Sequence, residues 1–137
     1  MAAENVERGL VDQWRGILAT HARTVCELDR ELHPHGLGAS DFEVLDLLTT
    51  GTAADGGASF RVQEISDRVH LSQSALSRLI GRLEKEGLVA RGMCAEDRRG
   101  VRVCATPKGR RLHGEVLPLQ RAVLARMLAG DPAASGG

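Results

Sequence analysis

Hydrophobic side chains near the start of the chain recur at intervals of three and four residues. This spacing places them on one stripe of a long helix. The stripe consists of Val11, Trp14, Leu18, His21, Val25, Leu28 and Leu32. The segment His33-Pro34-His35-Gly36 ends the helix, because proline disfavours helical backbone at the preceding residue and glycine permits left-handed backbone. A stripe of this length predicts packing against another helix.

A second helix is predicted to begin at Ser40. Ser40-Asp41-Phe42-Glu43 has the form of a capping box, in which the serine and glutamate side chains satisfy free backbone N–H groups. The apolar residues behind it are Phe42, Val44, Leu45, Leu47 and Leu48. We expect this helix to end near Thr49. The segment 51–59 is rich in Gly, Ala and Thr and is predicted to be a flexible connection.

Two short helical patterns follow, separated by His70-Leu71. The first contains Val62, Ile65 and Val69, and the second contains Leu76, Leu79, Ile80 and Leu83. This arrangement predicts a helix, a tight turn and a second helix over about 72–86. Ser72 can cap the second helix by accepting from a free backbone N–H, and Gly87 can end it.

After Gly87 the hydrophobic period changes to two, which predicts strands at Leu88 to Cys94 and Val101 to Ala105. Thr106 and Pro107 then favour a last helix, because proline at the first helical position loses no hydrogen bond. Pro118 lies inside that helix and is expected to kink it. The elements together predict a mainly α fold with a small antiparallel β-wing, a winged helix-turn-helix with helical segments at both ends.

The helix over 72–86 divides into an apolar and a polar face. Its outward residues are Ser72, Gln73, Ser74, Ser77, Arg78 and Arg82. Small hydroxyls let a helix approach base edges in the major groove, where Gln recognises adenine and Arg recognises guanine. In the ribbon tip, Arg98 and Arg99 suit a narrow minor groove, and we expect Asp97 to stabilise the tip by pairing with an arginine.

The charge distribution supports this interpretation. The formal net charge is zero, which alone would argue against nucleic acid. Between Arg61 and Arg111, however, there are 12 Lys or Arg against 6 Asp or Glu, so the middle of the chain is basic and its flanks are acidic. Such segregation can focus a phosphate-attracting potential on one surface. We therefore expect double-stranded DNA as a partner.

Several segments resemble the winged helix of the MarR family of bacterial regulators. They are Leu71-Ser72-Gln73-Ser74-Ala75-Leu76-Ser77-Arg78-Leu79, Leu83-Glu84-Lys85-Glu86-Gly87-Leu88-Val89-Ala90-Arg91, Asp97-Arg98-Arg99-Gly100 and Ala105-Thr106-Pro107-Lys108-Gly109, with Asp41-Phe42-Glu43-Val44-Leu45 as a weaker match. The resemblance implies one domain over 1–137, with a DNA-binding lobe at 58–106 and dimerisation helices at 6–33 and 107–129. It also implies a homodimer on a palindromic operator, acting as a ligand-responsive repressor.

Members of this family often bind small anionic or phenolic ligands between the dimer helices and the DNA-binding lobe. The resemblance offers Trp14, His21, Glu43, Arg78 and Arg91 as residues that line such a cleft. Simple packing on the helix stripe is the alternative for Trp14 and His21. The family usually has a further helix after the one beginning at Pro107, whereas this chain ends soon after Met127. We expect the long first helix to compensate in the dimer.

Two other functions stay open. The winged helix could serve protein contacts, or Cys26 could sense oxidants, as a first-helix cysteine does in some members of the family. We expect Cys26 to be packed, because it adjoins Val25. Cys94 and Cys104 flank the ribbon asymmetrically and are not expected to bond to each other.

An enzyme is not predicted, because no histidine, serine or cysteine has a recognisable catalytic or metal-ligand spacing. No cofactor is expected. The sequence has no apolar run of membrane-spanning length and no signal peptide, so we expect a cytoplasmic protein.

Overall fold

The computed structural model describes residues 2–93 and 101–129. The helices are α1 (Ala2–Leu32), α2 (Ala39–Thr50), α3 (Val62–Val69), α4 (Gln73–Lys85) and α5 (Pro107–Leu124). The strands are β1 (Phe60–Arg61), β2 (Val89–Met93) and β3 (Val101–Ala105). A 3-10 turn at His33–His35 follows α1, and a π-helical turn at Ala125–Ala129 follows α5. The predicted fold class, mainly α with a small antiparallel β-wing, is confirmed.

The three strands form one antiparallel sheet in the order β1-β3-β2. The alternation of β2 and β3 was predicted, but the two-residue strand β1 was not, because two residues are too few to show a period. Phe60 is fully buried and pairs with Val103, so the connection before α3 is anchored to the sheet. Phe60 follows directly on the predicted connection of 51–59.

One apolar core joins α2, α3, α4 and the sheet. Its fully buried side chains include Phe42, Leu45, Leu48, Phe60, Ile65, Leu76, Ile80, Leu83 and Val103. Burying each such side chain contributes about 1.5–3 kcal/mol relative to leaving it in water. The inner face of α4 packs against this core, and the outer face of α4 is exposed to solvent.

The predicted caps of α4 and α5 are confirmed. The Ser72 hydroxyl accepts from Ala75 N at 3.2 Å, and the Thr106 hydroxyl accepts from Gly109 N at 3.0 Å. The predicted capping box of α2 is wrong. This helix begins one residue earlier, and the Asp41 carboxylate accepts from Gly38 N at 2.7 Å. The carboxylate of Asp41 reaches the N-terminal amide from the third helical position, so neither Ser40 nor Glu43 is needed as the cap.

The end of α4 and the start of α5 are bonded together. Thr106 donates its hydroxyl hydrogen to Gly87 O at 2.6 Å, and Lys108 Nζ donates to Glu86 O at 2.8 Å. At Gly109 the backbone of α5 approaches so closely that an added methyl group would overlap the Leu88 carbonyl. Glycine is therefore required at this position. These contacts hold the start of α5 against the end of α4 and the residue before β2.

The contact between α2 and α5 contains a buried histidine. His113 Nε2 lies 2.6 Å from Asp46 Oδ1, and its ring stacks on Phe42 with centroids 5.5 Å apart. Arg121 lies 3.7 Å from the other oxygen of Asp46. Helix α5 continues past Pro118 to Leu124. This polar contact ties the last helix to α2.

Helix α1 is divided into two halves. Thr24, Leu28 and Leu32 are buried against the rest of the molecule, and Glu27 forms an ion pair with Arg126 at 3.0 Å. Residues 2–19 are all exposed, although they carry several large apolar side chains. The predicted stripe is thus packed within this chain only at its C-terminal end.

Candidate nucleic-acid interface

The outer face of α4 is open along its length. Ser72, Gln73, Ser74, Ser77, Arg78 and Arg82 are all exposed, whereas Leu76, Leu79, Ile80 and Leu83 are buried. The helix pattern in the sequence therefore assigned the two faces correctly. The outer face is convex, polar and cationic, and its short side chains at the N-terminal end leave room for a close approach. Such a face has the size and chemistry to enter a major groove.

The N-terminal end of α4 is held at a fixed angle to α3. The turn between them begins at His70, whose left-handed backbone (φ 58°) lets its N–H bond to Ser66 O at 3.1 Å. The Ser66 hydroxyl donates to Leu71 O at 2.7 Å. The Gln73 side chain donates to that of Gln63 on α3. The sequence does not reveal Gln63 as a support for Gln73, because the pairing depends on the angle between the two helices.

The two arginines of this face differ in their surroundings. Arg78 forms no ion pair or hydrogen bond within the part of the chain that the structure describes. Arg82 bonds to Asp41 through both terminal nitrogens, at 2.8 and 2.5 Å. Hydrogen bonding to Asp41 raises the pKa of Arg82 further above its ordinary value. Arg78 is available to an external ligand. Contact between DNA and Arg82 stays a prediction, because DNA would have to compete with Asp41 for this guanidinium.

The ribbon beside α4 is formed by β2 and β3, with Ala90 opposite Cys104. The tip, including Asp97, Arg98, Arg99 and Cys94, lies outside the described residues, so the roles predicted for these residues stay predictions. Arg91 on β2 forms a 3.5 Å ion pair with Glu84 of α4. This ion pair places β2 of the ribbon beside α4.

A second feature is a cleft of about 1140 Å³ between α1, α2 and the turn that precedes α4. His21 and Glu43, two of the predicted ligand residues, both line it. The other three lie elsewhere: Trp14 on the exposed half of α1, Arg78 on the outer face of α4 and Arg91 on β2. The prediction therefore brought together two of its five residues within one chain.

The cleft also contains residues that sequence analysis did not select. Arg68, Val69, His70 and Leu71 line the wall formed by the end of α3 and the turn before α4. Ala39 and Ser40 line the wall formed by α2. The position of 68–71 just before the predicted cap at Ser72 is a signal that could have identified them. A molecule in this cleft would contact the segment that sets the direction of α4.

Electrostatics in the cleft centre on Glu43. Desolvation by the surrounding helices raises the pKa of this carboxyl group, the Asp46 carboxylate raises it further, and Arg121 lowers it. Glu43 is consequently easier to protonate than an ordinary surface glutamate. Its neutral form would donate a hydrogen bond, whereas its charged form would accept one.

Cys26 is exposed, so the expectation that it is packed is wrong. Its position on α1 turns the thiol outward although its neighbour Val25 is partly buried against the core. Among residues 2–93 and 101–129, no three His, Cys, Asp or Glu side chains form a group that could hold a metal ion. Within the same ranges, no helix has both the length and the hydropathy that crossing a membrane requires.

Comparison with known proteins agrees with the geometry. A family model described as MarR family matches residues 35–100. The crystal structure of AbsC, a MarR family transcriptional regulator from Streptomyces coelicolor, is 30% identical, with a TM-score of 0.75 over 85% of this chain and 76% of that one. Sco3205, a MarR family regulator of the same organism in complex with DNA, is 25% identical, with a TM-score of 0.77 over 89% of this chain and 74% of that one.

A match among characterised sequences is the HTH-type transcriptional repressor MdtR of Bacillus subtilis. It is 35% identical over 71 residues, which cover 52% of this chain and 46% of MdtR. These matching proteins are regulators of transcription, and the fold is the feature that this chain shares with the two solved structures.

Proposed function

This chain belongs to the MarR family of transcription regulators, and we propose that it is a repressor that binds a palindromic operator as a homodimer until a small effector releases it. As a member of the family it is a DNA-binding protein and not an enzyme. Repression is supported by the similarity to MdtR, which is named a repressor. A dimer seated on an operator would block access to a promoter.

The exposed polar face of α4 is the observation that carries the proposal. We assign base contacts to Ser72, Gln73, Ser74, Ser77 and Arg78, since all five are exposed on this face. Arg78 suits guanine, because a guanidinium can bond O6 and N7 together. Arg98 and Arg99 would enter the flanking minor groove, with Asp97 stabilising the tip of the ribbon.

Dimerisation is supported by the first half of α1. Leu10, Trp14 and Ile17 follow helical spacing and are 61%, 57% and 55% exposed. Contiguous apolar surface of this kind is unfavourable in water and is typical of an interface. We therefore propose that 6–33 and 107–129 form the dimer and that 58–106 form the DNA-binding lobe. A twofold dimer would place its two α4 helices in major grooves about one turn, or roughly 10 base pairs, apart.

The cleft beside the turn of 68–71 supports ligand response. It combines apolar walls from Ile17, Val25 and Leu28 with polar groups from His21 and Glu43. Such a mixture suits a small phenolic or anionic molecule, in which a ring packs on the walls and a polar group pairs with a side chain. Occupation of the cleft would press on the turn before α4 and so alter its presentation to DNA.

The proposal is tested by selecting bound sequences from a random DNA pool and measuring affinity for the selected site over a range of salt concentrations. We expect a palindrome, and an affinity that falls steeply as salt rises, since each phosphate contact releases counterions. A docking module for proteins would show neither result. No binding to any duplex at low salt would refute the proposal.

Two arginine variants separate base contacts from backbone contacts. Arg78→Ala should relax base preference at one position of each half-site, with a cost of about 1–3 kcal/mol. Arg98→Ala should lower affinity for many sequences alike. Wild-type affinity and preference in both variants would refute these roles. Once the site is known, a screen of small molecules for its release tests the effector proposal, with His21→Ala and Glu43→Gln expected to weaken the response.

The exposure of Cys26 supports a second candidate, in which oxidation of this thiol controls DNA binding. A reactive thiol requires accessibility as well as a lowered pKa, and the first condition is met within one chain. Treatment with peroxide should then weaken operator binding by wild type but not by Cys26→Ser. Equal responses in both proteins would exclude the thiol as the sensor.

A further inference from the structure

Asp41 is a buried carboxylate in the first turn of α2 whose two oxygens are both occupied. The residue is 4% exposed. Oδ2 accepts from Gly38 N at 2.7 Å and from Arg82 Nη1 at 2.8 Å, and Oδ1 accepts from Arg82 Nη2 at 2.5 Å. The arginine therefore meets the carboxylate as a two-pronged fork, which fixes direction as well as distance.

The same point connects a third helix. Asp29 of α1 accepts from Ala39 N through Oδ1 at 2.7 Å, next to the amide that Asp41 caps. The start of α2 is thus held from α1 by Asp29 and linked to α4 through Asp41 and Arg82. Ala39 and Ser40, on either side of this cap, also line the cleft. Asp41 lies where the three helices meet.

Arg82 stands one helical turn after Arg78 on the exposed face of α4, and its side chain is 48% exposed. Its position would suit a phosphate contact, but its charge is already neutralised by Asp41. A guanidinium in a two-pronged bond to a buried carboxylate gains little from a phosphate unless it leaves that carboxylate unpaired. The geometry favours a bond within the protein.

We propose that Asp41 and Arg82 are a positioning pair that sets the direction of α4 on α2, and that Arg82 itself neutralises no phosphate. This inference rests on the proposed function of α4 as the helix that reads DNA. Arg82 was one of four arginines predicted to contact DNA. In this inference it instead serves as a rigid support for the neighbouring Arg78. Base recognition tolerates little displacement of the helix, so the pair controls affinity without touching the duplex.

The first test uses variants that keep charge and those that remove it. Arg82→Lys retains the positive charge but cannot form the fork, whereas Asp41→Asn retains an acceptor for Gly38 N but loses the ion pair. We expect each to lower affinity for the selected operator about tenfold, within the range of couplings measured between contacting residues. The dependence of affinity on salt should stay as in wild type. The double variant should cost no more than either single one.

Asp55→Asn is the matched control. Asp55 lies outside the proposed dimer segments and the DNA-binding lobe, is 54% exposed and forms an ion pair with Arg102 at 3.0 Å, so its replacement removes an Asp–Arg pair and should leave affinity unchanged. The concentration of each protein is corrected for the fraction that binds DNA in a stoichiometric titration. A variant that is only less stable will then show the wild-type affinity. That outcome, in all three pair variants, would overturn the inference.

A phosphate contact would give a different result. Arg82→Lys would then bind nearly as wild type, Arg82→Gln would lower the salt slope by about 0.9 for each lost contact, and Asp41→Asn would bind as tightly as wild type or more tightly. Any of these results contradicts the positioning role and restores Arg82 to the DNA-binding surface.

A second measurement does not depend on DNA. Nitroxide labels at Thr50 of α2 and Lys85 of α4, both exposed, report the distance between the helices by pulsed electron resonance. In a background where the three cysteines are replaced by serine, and diluted with unlabelled chains, Asp41→Asn should shift or broaden the distance distribution. An unchanged distance distribution overturns the inference, whether or not the protein binds DNA. A changed distribution together with no DNA binding by the wild-type protein overturns only the proposed function.

Discussion

The DNA-binding lobe and the first half of α1 use the same kinds of residue at the same spacing, but only the lobe buries them. Leu76, Ile80 and Leu83 on α4 are at most 1% exposed, whereas Leu10, Trp14 and Ile17 on α1 are more than half exposed. Periodicity shows that a helix has an apolar face. It does not show whether the surface that covers the face belongs to the same chain.

The difference implies different sources of stability. The lobe shares a core with α2 and has its own cap at Ser72, so its fold follows from contacts within one chain. An isolated helix has little stability in water, and every residue of 2–19 in the first half of α1 is exposed. We therefore expect substitutions in the buried lobe to lower the stability of the fold. We expect substitutions on the first half of α1 to weaken the association of two chains.

The largest expected effect is in the lobe. Leu76 is fully buried, and Leu76→Ala should lower the free energy of unfolding by about 2–5 kcal/mol because it leaves a cavity. Urea denaturation followed by circular dichroism measures the loss. The adjacent exposed variant Ser77→Ala is the control and should stay within about 0.5 kcal/mol of wild type. A loss below that limit for Leu76→Ala would mean that the core is not packed as described.

The matching change in α1 should alter association instead of folding. Leu10→Glu together with Ile17→Glu places charge on the proposed interface and should raise the dissociation constant of the dimer at least about 100-fold, or about 2.8 kcal/mol. Sedimentation equilibrium measures this change. Ala54→Glu, at an exposed position outside both proposed dimer segments, is a control for charge alone. A double variant that dimerises as wild type would place the interface elsewhere.

A smaller effect is expected at the junction that closes the lobe. Gly109→Ala should destabilise by about 1–3 kcal/mol, because the added methyl group meets the Leu88 carbonyl and the backbone must shift. Gly114→Ala on the same helix meets no atom within 4 Å and should be neutral or stabilising. Thermal unfolding compares the two. Equal melting temperatures would contradict the close contact between Gly109 and the Leu88 carbonyl.

The smallest effect lies where the two regions meet, at Glu43. Because its pKa is raised in the folded state, the native protein binds this proton at a higher pH than the unfolded chain does. Stability should therefore fall as pH rises from the ordinary carboxyl range through the raised pKa. Glu43→Gln should remove that fall and stabilise the protein at neutral pH by up to about 0.5 kcal/mol. Denaturation at several pH values measures the effect. The same pH dependence of stability in Glu43→Gln and in wild type would contradict the prediction.

Much of the lobe could be predicted from its sequence because local signals determine it. The cap at Ser72, the two faces of α4 and the Thr106-Pro107 start of α5 each depend on residues close together in the chain. The bond from Asp41 to Arg82 could not be predicted, since it joins residues 41 positions apart. The cap of α2 is local but was assigned to the wrong residues, because Asp41 reaches Gly38 N from a helix that begins one residue earlier than predicted. Strand β1 was missed because two residues are too few to show a period.

The ligand residues show the same limit. His21 and Glu43 meet in one cleft, but Trp14, Arg78 and Arg91 lie on other surfaces of the chain. A resemblance between sequences transfers a residue type to a position, whereas the neighbours of that position depend on helix packing. Arg68 and His70 line the cleft through such packing.

The central claim is that two exposed α4 helices of a dimer meet one face of a duplex. Chemical footprinting of the selected operator tests it most directly, with methylation of guanine N7 as the probe of the major groove. We predict two protected patches about 10 base pairs apart, both weakened in Arg78→Ala. A single patch, or protection that is unchanged in Arg78→Ala, would contradict the account.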